Sequence, residues 1–302
     1  SRPSPLRRLV SSRLLRLTMP ARYAELHALS NFTFLRGASH PEELVATAAA
    51  LGYEALAITD ECSVSGVVRA HMAAKEAGLA KLVIGSELRL PGGRKLVLLA
   101  QDRRGYASLC ALITRTRRAA EKGRYALRRQ DFDDGLPGCI ALWVPDETFA
   151  LGTDDHWIRE TFRDRLWIAA ELLADGRQRE QLESLRATGK RLKLPLVATG
   201  DVHMHRRSRR VLQDTLTAIR EGVTVDAAGF LLYPNGERHL RPREVLERIY
   251  PAALLRESVD IAASMAFSLD ELRYEYPDEI VPAGETPASY LRQLTEAGMR
   301  RR

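Results

Sequence analysis

Between residues 24 and 199 the chain repeats one pattern, a short apolar run followed by a stretch with helical amphipathicity. The apolar runs fall at 24–29, 55–59, 82–88, 96–100, 139–144, 166–170 and 196–199. Runs this short and this continuous suit strands covered on both faces. Helical stretches at 41–51, 63–77, 104–120 and 177–192 separate them. The first of these has a well-formed start: Ser39 can cap it, Glu42 and Glu43 occupy its first turn, and Gly52 follows its end. Such alternation predicts parallel strands joined by right-handed crossovers. Seven units of this kind fit a barrel better than an open sheet. Beyond residue 199 the pattern becomes mostly helical, at 207–221, 242–249, 252–265 and 287–300. Pro277, Pro282, Gly284 and Pro287 make 274–287 read as an extended linker, which predicts a domain boundary near 270–285.

Hydrophobic residues make up 45% of the 302, enough to fill a core, and no apolar run approaches the length of a membrane span. The net charge of +7 invites a nucleic-acid reading, but its location weakens it. Arg2, Arg7, Arg8, Arg13, Arg16 and Arg22 stand among the first 22 residues with no acid, and Arg300, Arg301 and Arg302 close the chain. The ends are basic and the body is slightly acidic. Residues 1–20 are expected to be a disordered basic extension, with Met19 as the natural start. Cys62, Cys110 and Cys139 are far apart and form no CxxC pair, as expected of reduced, buried thiols.

The strand ends carry unusual polar groups. His27 lies on the first, Asp60 and Glu61 end the second, Glu87 ends the third, and Asp201 and His203 follow the last. One acid after a strand is ordinarily a helix cap. Four strands delivering Asp, Glu or His to one rim exceed what capping needs, and chemistry in parallel α/β folds collects at that rim. Carboxylate and imidazole together suit Zn, Mn or Mg, so a metal-dependent hydrolase is one reading. His40, His71, His156 and His239 fall on helix faces or loops and read as surface or capping groups. Arg206, Arg207, Arg209 and Arg210 could contact phosphates or simply solvate a helix face.

Several of these segments match a family. The string Tyr23-Ala-Glu-Leu-His-Ala-Leu-Ser-Asn-Phe-Thr-Phe-Leu-Arg-Gly-Ala-Ser39 resembles the first motif of PHP (polymerase and histidinol phosphatase) domains. Ala57-Ile-Thr-Asp-Glu61, Ile84-Gly-Ser-Glu87 and Ala198-Thr-Gly-Asp-Val-His203 resemble later ones. The stretches 209–220, Asn235-Gly-Glu-Arg-His-Leu-Arg241 and 267–277 are similar to the error-prone branch of bacterial C-family DNA polymerases. The likeness runs from about Tyr23 to Arg302.

The resemblance implies an α/β fold: a PHP-type distorted (β/α)7 barrel over 21–270, followed by a mostly helical C-terminal segment. Residues 271–302 would be a linker and the start of the polymerase core. The palm carboxylates that hold Mg²⁺ for nucleotidyl transfer would lie beyond Arg302. DNA template-primer and dNTPs would be partners of the full-length enzyme, with a sliding clamp and repair accessory proteins as further partners, in the bacterial cytoplasm and away from membranes. Within the PHP metal site, His27, Asp60, Glu87, Asp201 and His203 match ligand positions, and Glu61 stands where histidine is usual. Leu29, Arg36 and Lys95 replace ligands, as does Pro145 near the fifth strand. Without a Zn or Mn cluster the carboxylates would repel, and Arg36 and Lys95 could supply the missing charge. At most a partial site of His27, Glu87, Asp201 and His203 would remain. The expectation is a structural domain without hydrolytic proofreading; the alternative is a free-standing PHP phosphoesterase.

Overall fold

A computed structural model describes residues 20–90, 94–146, 156–273 and 281–301. The expected basic extension up to Met19 and the first half of the expected linker, 274–280, lie outside the described residues. The chain divides into two units after Leu269. In the first, seven strands lie in sequence order: β1 (Ala24–Ala28), β2 (Ala55–Ile58), β3 (Leu82–Arg89), β4 (Lys95–Ala100), β5 (Cys139–Val144), β6 (Leu166–Glu171) and β7 (Leu196–Thr199). The sheet nearly closes on itself. Ala28 bridges Val202 just past β7, with Val202 N–H donating to the His27 carbonyl (2.9 Å) and Leu29 N–H to that of Val202 (2.7 Å).

The helices are α1 (Pro41–Ala50), α2 (Val67–Ala77), α3 (Arg103–Arg118), α4 (His156–Phe162), α5 (Gln178–Leu192), α6 (Arg210–Glu221), α7 (Val225–Ala228), α8 (Arg243–Ile249) and α9 (Ala252–Ser264). The second unit holds α10 (Pro287–Arg301). Helix α1 begins on Pro41, whose fixed φ and missing N–H suit a first turn. Its cap differs from the expectation: His40 takes the cap position, and its N–H donates to the Glu43 carboxylate (2.9 Å). Ser39 instead bonds to the ring and backbone of His205 (2.7 and 2.9 Å). Helix α2 starts four residues later than its apolar pattern and ends on Gly78, whose φ of +67° closes it in the left-handed region.

The strands do not all run parallel, as the alternating pattern had suggested. β3–β4 and β4–β5 are antiparallel; the other neighbours are parallel. Residues 90–94 join β3 to β4, too few for a crossover helix, and the Leu90 N–H to Arg94 carbonyl bond (2.7 Å) leads directly into the pairing.

Alternate side chains sort into two cores. Ala24, Leu26, Ala57, Val83, Val97, Leu99, Leu142 and Val197 pack inside the barrel, joined by Ile261, Ala262 and Met265 from α9 and the residue just after it. The larger outer core lies between the strands and the surrounding helices. The Lys81 ammonium donates to the carbonyls of Ala262 (3.0 Å) and Met265 (2.7 Å), fixing that helix end. Ser258 Oγ accepts from Ala24 N–H (3.1 Å), so α9 also covers the lower part of β1. Helix α3 approaches β5 so closely that a Cβ on Gly105 would lie 1.8 Å from the Gly138 carbonyl oxygen. Gly105→Ala is therefore expected to lower stability by roughly 1–3 kcal/mol in urea unfolding, because backbone must move to admit one methyl.

Candidate metal centre

One rim of the barrel gathers a buried ionic cluster. A β-bulge between Glu25 and Ala28 breaks the alternation of β1, so Leu26 joins the inner core and the next residue, His27, also reaches the interior. Its Nε2 lies 3.0 Å from Glu87 and its Nδ1 2.7 Å from Glu171, with Asp201 at 3.8 Å. Glu87 and Glu171 come from the ends of β3 and β6. Lys95 opens β4, and only because β4 runs antiparallel does its first residue reach the rim where β3 ends. Its ammonium lies 4.0, 3.7 and 3.6 Å from Glu87, Glu171 and Asp201. Asp201 follows β7 at φ +43°, a left-handed conformation that aspartate adopts more readily than most residues.

Arg36 grips Glu87 with two bonds (2.7 and 3.2 Å) and also pairs with Glu61. Glu61 in turn accepts from the Tyr125 hydroxyl (3.0 Å) and faces Arg89 at 3.3 Å. On the opposite side Arg238 donates to Asp201 (2.9 Å), with its guanidinium stacked 4.2 Å over the Tyr233 ring. His203 Nε2 donates to Asp201 (3.0 Å) while its Nδ1 accepts from Gln213 (2.8 Å).

The protonation states follow from this wiring. Burial works against charge on His27, but the hydrogen bonds to Glu171 and Glu87 outweigh it and push its pKa up to about 10. Burial likewise works against the Glu87 anion; the Arg36 and Lys95 charges override it and hold the carboxyl well below its usual range. Asp201 is held low by Lys95, His203 and Arg238 in the same way. His203 moves to about 4, chiefly through burial. It is the neutral ring of the cluster.

The expected residues thus separate. His27, Glu87, Asp201 and His203 come together, with Arg36 and Lys95 among them and Glu61 at the edge. Asp60 does not join: it accepts from Ser30 N–H (2.8 Å), Ser30 Oγ (2.7 Å) and Thr33 Oγ1 (2.7 Å), and so braces the loop after β1. Leu29 is buried, with its N–H spent on closing the barrel. Pro145 lines a cavity of about 280 Å³ beside the cluster, together with Glu171, Tyr233 and Arg238. Glu171 and Arg238 were not anticipated. Three of the four clustered arginines meet acids of this chain: Arg207 faces Glu237 (3.3 Å), Arg209 pairs with Glu43, and Arg210 faces Asp214 (3.4 Å). Arg206 is exposed. His239 Nδ1 bonds the Gly236 carbonyl (2.8 Å), and His156 begins α4 at the surface.

His27, Glu171 and Asp201 offer ligand atoms within 4.8 Å of one another, a spacing that could hold one metal ion. The groups around them do not fit one. A ligating imidazole must present an unprotonated nitrogen, yet both His27 nitrogens face carboxylates. Glu61, Glu87, Glu171 and Asp201 are already matched by His27, Arg36, Lys95 and Arg238. A further divalent ion would meet the Lys95 ammonium; even one like-charge pair about 4 Å apart costs about 4 kcal/mol at an effective dielectric near 20.

Residues 25–165 match the family model for the PHP domain. The chain is 57% identical over 93% of its length to the error-prone DNA polymerase of Dechloromonas aromatica, and 59% identical over 93% to that of Methylococcus capsulatus. It spans 28% and 27% of those two relatives, a little over a quarter of each. Among solved structures, an amidohydrolase from Chromobacterium violaceum aligns with 60% of this chain and 87% of its own, at TM-score 0.46 and 16% identity.

Proposed function

The chain carries a PHP domain and is a homologue of error-prone DNA polymerases over 93% of its length, and from that premise we propose that it is the N-terminal PHP region of such an enzyme, acting as a structural brace rather than a hydrolase. The observation that carries the second half is the rim cluster, where every carboxylate meets a cation of the protein itself. Metal-assisted phosphoester hydrolysis needs an open coordination position and an activated water. Arg36 and Lys95 fill the approach to Glu87, Glu171 and Asp201.

DNA synthesis from dNTPs on a template-primer, with Mg²⁺ in a palm domain, belongs in this reading to the rest of the parent polypeptide, as does any contact with a sliding clamp or repair proteins. Helix α6 supports the role of a brace. It buries Gln213, Thr217 and Ala218 and leaves Val211 and Ile219 75% and 58% exposed, an apolar face suited to packing against further protein. The clustered arginines 206–210 are kept as phosphate contacts only through Arg206, since the others meet acids. Among the described residues no helix is long and apolar enough to cross a membrane.

The test is a pair of assays on the purified chain. Primer extension with Mg²⁺ and dNTPs is expected to give no product, whereas the full-length parent extends the same primer. Hydrolysis of small phosphate esters and of DNA 3′ ends is expected to stay at background with Mn²⁺ or Zn²⁺ added. Chelator-sensitive hydrolysis that survives repurification would overturn the brace and favour a PHP phosphoesterase.

A further inference from the structure

Seven cations and one acid, Glu121, occupy residues 115–129, although the body of the chain is slightly acidic. The last turn of α3 carries Arg115, Arg117 and Arg118, where cations suit the negative end of a helix dipole. That effect fades within a turn and gives no role to Lys122, Arg124, Arg128 and Arg129, all exposed on the loop that follows. The loop is held in place. Ala126 N–H donates to the Thr116 carbonyl (3.0 Å), which lays it back along the end of α3. The Tyr125 hydroxyl accepts from Arg89 N–H (2.9 Å) and donates to Glu61 (3.0 Å), and Leu127 is buried. With 125 and 127 turned inward, Arg124 and Arg128 are displayed outward. Arg117 is spent on the fold: it donates to the carbonyls of Cys62 (3.1 Å) and Glu61 (3.2 Å) and stacks over the Tyr125 ring. Arg115 faces Asp131 (3.7 Å) and Asp134 (3.9 Å). Among the described residues, the side chains of Arg118, Lys122, Arg124, Arg128 and Arg129 meet no carboxylate. A surface built only for solubility intersperses the two signs.

We infer that the end of α3 and the loop after it form a binding surface for the phosphate backbone of duplex DNA, engaged without regard to sequence. Four of the five unmatched cations are arginines, whose forked donors fit phosphate oxygens. Arg115 and Arg118 border a groove of about 700 Å³ lined otherwise by the short side chains of Cys110, Ala111, Thr114 and Ala119, which let a bulky polyanion come close. No large apolar side chain is exposed between residues 110 and 130, so the surface offers nothing to insert into a bilayer or to stack on an unpaired base. Phosphate contacts of this kind position a duplex and carry no sequence information. The choice of DNA among polyanions rests on the polymerase reading above.

Binding of the whole chain to a labelled duplex of about 24 base pairs is measured by fluorescence anisotropy from about 50 to 200 mM salt. A triple variant, Lys122→Gln with Arg124→Gln and Arg128→Gln, is compared with a charge-matched control on the exposed side of α5, Arg179→Gln with Arg186→Gln and Lys190→Gln. Melting temperatures confirm that both fold. The wild type is expected to bind with a dissociation constant of about 1–100 µM near physiological salt, and to within about twofold on two unrelated sequences. The loop variant is expected to bind at least about tenfold more weakly, with a log–log salt slope shallower by about 2–3, from about 0.9 per lost contact. The control is expected to stay within about twofold of the wild type. A wild type that does not bind at about 50 mM salt, or a loop variant no weaker than the control, would overturn the inference. Tighter binding to vesicles of phosphatidylserine and phosphatidylcholine than to the duplex, at equal phosphate, would overturn the assignment to DNA. The primer-extension and hydrolysis assays above decide the polymerase reading separately, so either can fail without the other.

Discussion

Arg36→Met is expected to destabilise the domain by about 3–5 kcal/mol, the scale for removing one partner of a buried ion pair. Arg36 is only 6% exposed and holds Glu87, which is fully buried, through two hydrogen bonds, with Glu61 on the same nitrogen. Methionine keeps most of the stem volume, so the loss reports charge and hydrogen bonding rather than a cavity. Glu87 would keep His27 and Lys95, which places the effect inside that range and not above it. Urea unfolding of Arg36→Met, Glu87→Gln and the double variant measures the coupling, and the double variant is expected to lose clearly less than the sum of the singles. A single-variant loss under about 1 kcal/mol, the scale of an exposed pair, would mean that the rim does not hold the fold together.

Stability is also expected to peak near pH 6.5 and to decline on both sides. His27 titrates near 6.5 in the unfolded chain and at about 10 in the native one. Between those values the native state keeps a proton that the unfolded chain has released. The contribution is therefore complete below about pH 6.5 and is lost as the pH rises through 10. At about 1.4 kcal/mol per pH unit the whole span amounts to about 5 kcal/mol. On the acid side the signs reverse. His203 is lowered to about 4, and Glu87 and Asp201 lie well below their ordinary ranges. Their stabilisation is present above the unfolded values, about 6.5 for the ring and about 4 for the acids, and is lost as the pH falls through the native ones. Unfolding free energy measured from pH 4 to 10 tests both limbs. The interval from about 7 to 8 reports chiefly on His27, because the histidines with lowered values have finished titrating below it and unfolded thiols, near 8.5, and phenols titrate above it. A flat profile there would mean that His27 is neutral and has a nitrogen free for a metal.

The strands and most helices were legible because period and length survive in sequence without tertiary help. The antiparallel β4 was legible too, in a gap of seven residues between the apolar runs 82–88 and 96–100 that cannot hold a crossover, but the dominant alternation obscured it. At the site, residue type and strand-tip position pointed to His27, Glu87, Asp201 and His203. The same rule reaches Glu171, the last residue of β6, once that strand is extended by one position. Asp60 shows the limit of the rule. Its type and place match the others, yet its carboxylate turns to Ser30 and Thr33, and nothing local records that direction. Arg238 sits in irregular chain well beyond the last strand, with no periodicity to mark it, and reaches Asp201 only through the fold.

The near-closure of the barrel has a consequence for recruitment. Among the described residues, upper β1 pairs with Val202, the Ala24 N–H is taken by Ser258 of α9, and the Thr199 carbonyl at the end of β7 accepts from the Tyr250 hydroxyl, so the two outermost strands of the sheet leave little backbone free to pair. A peptide cannot extend this sheet by pairing with an open margin, and copies of the barrel cannot stack strand to strand into fibres. Whatever docks on this domain must recognise side chains displayed by its helices and loops.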